Sequence, residues 1–111
     1  MNSEPSLIKD DQFLIKPDYS NNSIHELRQS IKNTIIDNDC HNLVIDLSGF
    51  NLIYASQIGI LSSVQHFIKY PNGTLEIIVD SQEAKNMIVL LNIANAKVTV
   101  TSPQGIFLSI A

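Results

Sequence analysis

The chain of 111 residues has one cysteine, Cys40, so no disulfide can form within it. That usage fits a reducing compartment. Its seven basic residues are scattered: Lys9, Lys16, Arg28, Lys32, Lys69, Lys85 and Lys97. Without a basic stripe, and with a formal net charge of −4, the chain is not expected to bind nucleic acid. No apolar run approaches the roughly 20 residues of a membrane span, so direct membrane insertion is not expected. The start, MNSEPSLIKDD, is polar and partly acidic, unlike a secretory signal. A cytoplasmic location is the expectation that follows.

Catalytic and cofactor signatures are also missing. The histidines His25, His41 and His66 make no metal-ligand spacing with Cys40 or with a carboxylate pair. Gly49, Gly59, Gly73 and Gly105 are isolated, so no G-x-G-x-x-G and no Walker loop is present. Ser56 has no G-x-S-x-G context, and no His or Asp can be assigned as its base. No enzyme, cofactor or metal is expected, and a small hydrolase built on Ser56 is disfavoured.

What remains is a globular composition, 44% apolar, at the size of one domain spanning residues 1–111. Residues 1–9 form a loose lead-in, or an edge strand at Leu7-Ile8. Phe13-Leu14-Ile15 reads as a short strand stopped by Pro17. Asp18 to Asn22 is turn chemistry. Ser23 and Glu26 have capping-box spacing, and Ile24, Leu27, Ile31 and Ile35 follow on one helix face. Leu43-Val44-Ile45-Asp46-Leu47 reads as a strand buried on both sides, followed by the breaker Ser48-Gly49.

A second helix is expected from about Ser56 to Tyr70, where Pro71-Asn72-Gly73 stops it. Ile60, Leu61, Val64, Phe67 and Ile68 recur at helical spacing, while Ser62, Ser63, His66 and Lys69 are assigned to solvent. Thr74 to Val79 is a strand. Asp80 or Ser81 caps a third helix carrying Ala84, Met87, Ile88 and Leu91 on one face. Lys97 to Thr101 is the last strand, with Val98 and Val100 inward. Ile106 to Ile110 fits strand or helix equally. This alternation implies parallel pairing with right-handed crossovers, an α/β layered domain.

The element order and the stretch Val44-Ile45-Asp46-Leu47, then Leu52-Ile53-Tyr54-Ala55-Ser56-Gln57-Ile58-Gly59-Ile60-Leu61, resemble the STAS domain of bacterial anti-sigma factor antagonists. The likeness extends from about residue 10 to residue 101. It implies a mostly parallel four- to five-stranded sheet with three or more helices packed on it. It aligns Ser56 with a serine that a partner kinase phosphorylates, and Gly59 with the family's second glycine. The implied partner is an anti-sigma factor, a serine kinase of the histidine-kinase-like ATPase class. Its contact surface is assigned to Tyr54, Gln57, Gly59, Ser63 and His66.

A phosphate adds roughly −1.5 to −2 charges, which a helix N-terminus tolerates. The fold would stay and the local surface would change sign. The polar positions differ from the family pattern. Tyr54 replaces its Asp, Ala55 its first hydroxyl residue and Gln57 its first Gly. An alternative follows: a STAS-like scaffold without phosphorylation, or an accessory subunit of a transporter complex.

Overall fold

A computed structural model describes residues 6–9, 12–18 and 23–101 of the chain. In chain order the elements are β1 (Ser6–Lys9), β2 (Gln12–Ile15), α1 (Ile24–Asp37), β3 (Asn42–Asp46), α2 (Leu52–Lys69), β4 (Thr74–Val79), α3 (Gln82–Val89) and β5 (Ala96–Val100). Asp18 apart, the turn expected up to Asn22 lies outside the described residues. So does the tail expected over Ser102 to Ile110.

The strands form one sheet in the order β1-β2-β3-β4-β5. β1 runs antiparallel to β2 as an edge strand, and β2 to β5 are all parallel. Each crossover moves one strand along in the same direction. Right-handed crossovers therefore put α1, α2 and α3 on one face of the sheet. The expected α/β class, with a mostly parallel sheet and three helices packed on it, is what the chain adopts.

The register explains which side chains meet those helices. Ile15, Ile45, Ile77 and Val98 form one cross-strand row, and all four are buried. With Leu43, Leu47, Leu75 and Val79 they join Leu27, Ile31, Ile35, Ile58 and Ile88 in a single core. Burying one such aliphatic side chain is worth about 1.5–3 kcal/mol, so this layer holds the helices down. The alternate residues Leu14, Val44, Glu76 and Lys97 form the next row, on the opposite face. There Glu76 Oε2 accepts a bond from Thr99 Oγ1 at 2.7 Å.

Local chemistry sets the element ends. At Ser23 both halves of the capping box form: Glu26 N–H donates to Ser23 Oγ at 3.1 Å and Ser23 N–H to Glu26 Oε1 at 3.0 Å. Ser81, not Asp80, caps α3 by accepting from Ala84 N–H at 3.1 Å. α3 is only eight residues long and buries Ala84 and Ile88, so Met87 and Leu91, expected inward, are exposed. No helix among the described residues is long and apolar enough to cross a membrane.

Candidate partner-docking site

The loops at the carboxyl ends of β2, β3 and β4 meet in front of α2. Lys16 follows Ile15, which pairs with Ile45, so Lys16 stands level with Asp46. Its Nζ lies 3.5 Å from Asp46 Oδ1 and donates to Ser48 O at 2.9 Å and Ser48 Oγ at 3.0 Å. Asp46 Oδ1 also accepts from Ser48 N–H at 2.9 Å and Ser48 Oγ at 2.6 Å. Partial burial alone would raise the Asp46 pKa. The two Ser48 bonds and the Lys16 charge outweigh it, and the carboxyl is held below its usual range.

Gly49 then turns with φ +91°, a left-handed conformation that glycine adopts without strain. Its N–H donates to Asp80 Oδ2 at 2.5 Å. Three strand ends thus hold the loop that delivers the chain to α2. The sequence reading missed this constellation. Its signal was an acid ending one buried strand and a lysine ending another, which become neighbours only once the register is known.

Helix α2 starts earlier than expected. Asn51 is the N-cap, accepting from Tyr54 N–H at 2.8 Å through its side chain. Leu52 to Ala55, expected as loop, form the first helical turn. Ser56 is therefore not at the mouth of the helix. It lies inside it and is 6% exposed, with its Oγ buried and without a hydrogen-bond partner. The expectation that α2 begins at about Ser56, with this hydroxyl at the helix N-terminus, is corrected on this point.

The expected faces of α2 are also largely exchanged, although Lys69 is exposed as expected. Ser62 and His66 are 0% exposed and Ser63 is buried. Ile68 is 69% exposed, Phe67 is exposed, and Ile60, Leu61 and Val64 are partly exposed. The cause is space. A Cβ on Gly59 would overlap Cδ1 of Ile88 and come within 2.9 Å of its Cγ1. A helix packed that closely on α3 leaves room beside Gly59 only for small side chains such as Ser63, while Ile58 enters the core. Ser63 satisfies its hydroxyl by donating to Gly59 O at 2.8 Å, and Ser62 Oγ has no partner.

His66 is buried by hydrogen bonding rather than by size. Its Nε2 lies 2.9 Å from Cys40 O and 3.0 Å from His41 O, so the tautomer with Nε2–H serves both carbonyls. Its Nδ1 is buried with no partner. Burial pushes the His66 pKa down, and the bonds to the two carbonyls only partly oppose that. Beside it, Tyr70 Oη accepts from Cys40 N–H at 3.1 Å and donates to Asn38 O at 2.5 Å. His66 thus ties the α1–β3 loop to the far end of α2. Ten residues of helix, about 15 Å of rise, separate it from Ser56, so it is no base for that hydroxyl.

Of the residues assigned to partner contact, Gln57 is exposed and Tyr54 half-buried against the core. Gly59, Ser63 and His66 are buried and belong to packing, since they lie on the inner face of α2. Sequence reasoning missed Leu52 and Ile53, which are 45% and 63% exposed on the first turn. No family model, curated protein or solved structure matches the chain.

Proposed function

We propose that this chain is a non-enzymatic protein-interaction module of the anti-sigma factor antagonist type, acting without phosphate on Ser56. The observation that carries the reading is the first turn of α2, where Leu52 and Ile53 stand exposed side by side. Adjacent large aliphatic side chains in water mark an area that gains free energy when covered. Gln57, one turn on, supplies a polar rim. The Lys16–Asp46–Ser48 bonds and the Gly49–Asp80 bond hold the approach to this turn, which lowers the ordering cost of docking.

The partner suggested by the STAS resemblance is an anti-sigma factor of the serine-kinase class, whose capture would free a sigma factor. The enclosed Ser56 hydroxyl supports constitutive docking rather than a phosphorylation switch. A phosphate there would bury close to two charges without a counter-ion, at a cost of several kcal/mol.

The test mixes the chain with such a kinase and ATP. A complex on size exclusion, an unchanged intact mass, and at least about tenfold weaker binding by Ile53→Asp are expected. Phosphate on Ser56, lost in Ser56→Ala, would overturn the constitutive reading. Indifference to Ile53→Asp would overturn the docking site. A second reading, the accessory subunit of a transporter complex, is favoured by the same enclosed hydroxyl. Capture of a transporter ATPase instead of the kinase would select it.

A further inference from the structure

Beyond the first turn, the remainder of α2 faces a groove against α1. One part of it, about 410 Å³, is lined by Arg28, Gln57, Ile60, Leu61 and Val64. A second part, about 180 Å³, continues it past Lys32 and Gln65. The exposed Ile36 and Ile68 lie further along the same two helices, where Lys69 Nζ donates to Ile36 O at 2.5 Å and fastens them together. The α2 side of the groove is thus an aliphatic row, and the α1 side carries Arg28 and Lys32 one turn apart.

Neither cation has a carboxylate within ion-pair reach among the described residues. They are unpaired positive charges on a chain of formal net charge −4. We propose that this groove docks an amphipathic helix of a partner protein, with aliphatic residues on the α2 row and carboxylates, one turn apart, against Arg28 and Lys32.

Three features select that occupant. The row at Ile60, Val64 and Ile68 repeats at helical spacing, and a helix laid in a groove matches it with its own i, i+3, i+4 and i+7 residues. Two cations one turn apart are about 5–6 Å from each other at their Cβ atoms, which is the separation of carboxylates at i and i+4 on a facing helix. On a chain of negative net charge, two unpaired cations one turn apart beside an apolar row favour an acidic helix at this flank, so charge contributes to position and partner choice. The groove shares Gln57 with the rim of the first-turn site, but Leu52 and Ile53, on which the proposed function rests, do not line it.

The probe is a labelled synthetic helical peptide with leucines at that spacing and two flanking glutamates, titrated into the full chain by fluorescence anisotropy. A second peptide carries lysines in place of the glutamates. The glutamate peptide is expected to bind at least about tenfold more tightly. The double variant Arg28→Glu/Lys32→Glu is expected to reverse that preference, and Ile68→Asp to weaken both peptides while circular dichroism stays unchanged.

Equal binding of the two peptides, or a preference that survives the double charge reversal, would overturn the proposal. So would a chain that sediments as a dimer and is made monomeric by Ile68→Asp, since the occupant would then be a second copy. Ile53→Asp is expected to leave peptide binding intact, so failure here is distinguishable from failure of the first-turn docking site.

Discussion

At the scale of single residues, burial sets what His66, Cys40 and Gly59 can do. His66 is held neutral by burial, with a folded-state pKa below its ordinary 6.5. The unfolded chain then binds the proton more readily than the folded one. Stability is full above about pH 6.5 and falls as the pH drops from there toward the lower folded value. Urea midpoints measured from pH 8 to pH 5 should decline, and His66→Gln should flatten that slope. A second loss, below pH 3.8, belongs to Asp46, whose folded pKa is depressed and whose stabilising contacts vanish on protonation.

Cys40 is fully buried and its thiol is pushed up to about 11, first by burial and then by the charge of Asp39, with Lys69 opposing. Thiolate is the reactive form, so the native protein should resist alkylation at pH 8 and react on unfolding. Gly59→Ala gains about 1 kcal/mol of helix propensity and forces Ile88 aside at about 1–3 kcal/mol. A net loss of stability is expected from chemical denaturation, and Ile88→Val added to it should recover part of the loss.

At the scale of elements, caps decide the outcome and separate the observed from the expected start of α2. Asn51→Ala removes the acceptor for Tyr54 N–H and should cost about 1 kcal/mol. Ser56→Ala removes a buried oxygen that has no partner, and should leave stability unchanged or raise it by up to about 1 kcal/mol. A reversed pair of signs in thermal melts would move the start of α2 from Asn51 to Ser56.

The strands and α1 were legible because their signals are local. Thr74 to Val79 is β-branched and bounded by a Pro-Asn-Gly turn and by Asp80-Ser81. Ser23 and Glu26 announce a cap by spacing alone. α2 was only half legible. Its spacing reveals stripes, yet it carries aliphatic residues on one side and Ser, Gly and His on the other, and periodicity does not say which stripe is inside. That choice follows from the close approach to Ile88 and from two backbone carbonyls waiting for His66 Nε2, which are tertiary facts. The start of α2 was missed for a similar reason, since Leu52-Ile53-Tyr54 is too short an apolar patch to declare its period.

At the scale of the whole molecule, a sheet covered on one side by three helices leaves its exposed large apolar residues, among those described, mostly along α2 and the end of α3, with Ile36 on α1 beside them. There Leu52, Ile53, Phe67, Ile68, Met87 and Leu90 are exposed. On α2 the exposed apolar residues, set against buried Ser56, Ser62, Ser63 and His66 beside Ala55 and Ile58, partly reverse the ordinary arrangement of a surface helix. The stabilisation that these side chains could supply is available to a binding partner instead. The core beneath does not depend on it, because Ile15, Ile45, Ile77 and Val98 already form a closed row with α1 and Ile58.

The most direct measurement is thiol labelling of two variants, Ser56→Cys and Ile68→Cys, each in a Cys40→Ser background. The orientation of α2 described above requires Ile68→Cys to react at the rate of a free thiol and Ser56→Cys to react many-fold more slowly until denaturant is added. Rapid labelling at position 56 with protection at position 68 would contradict it.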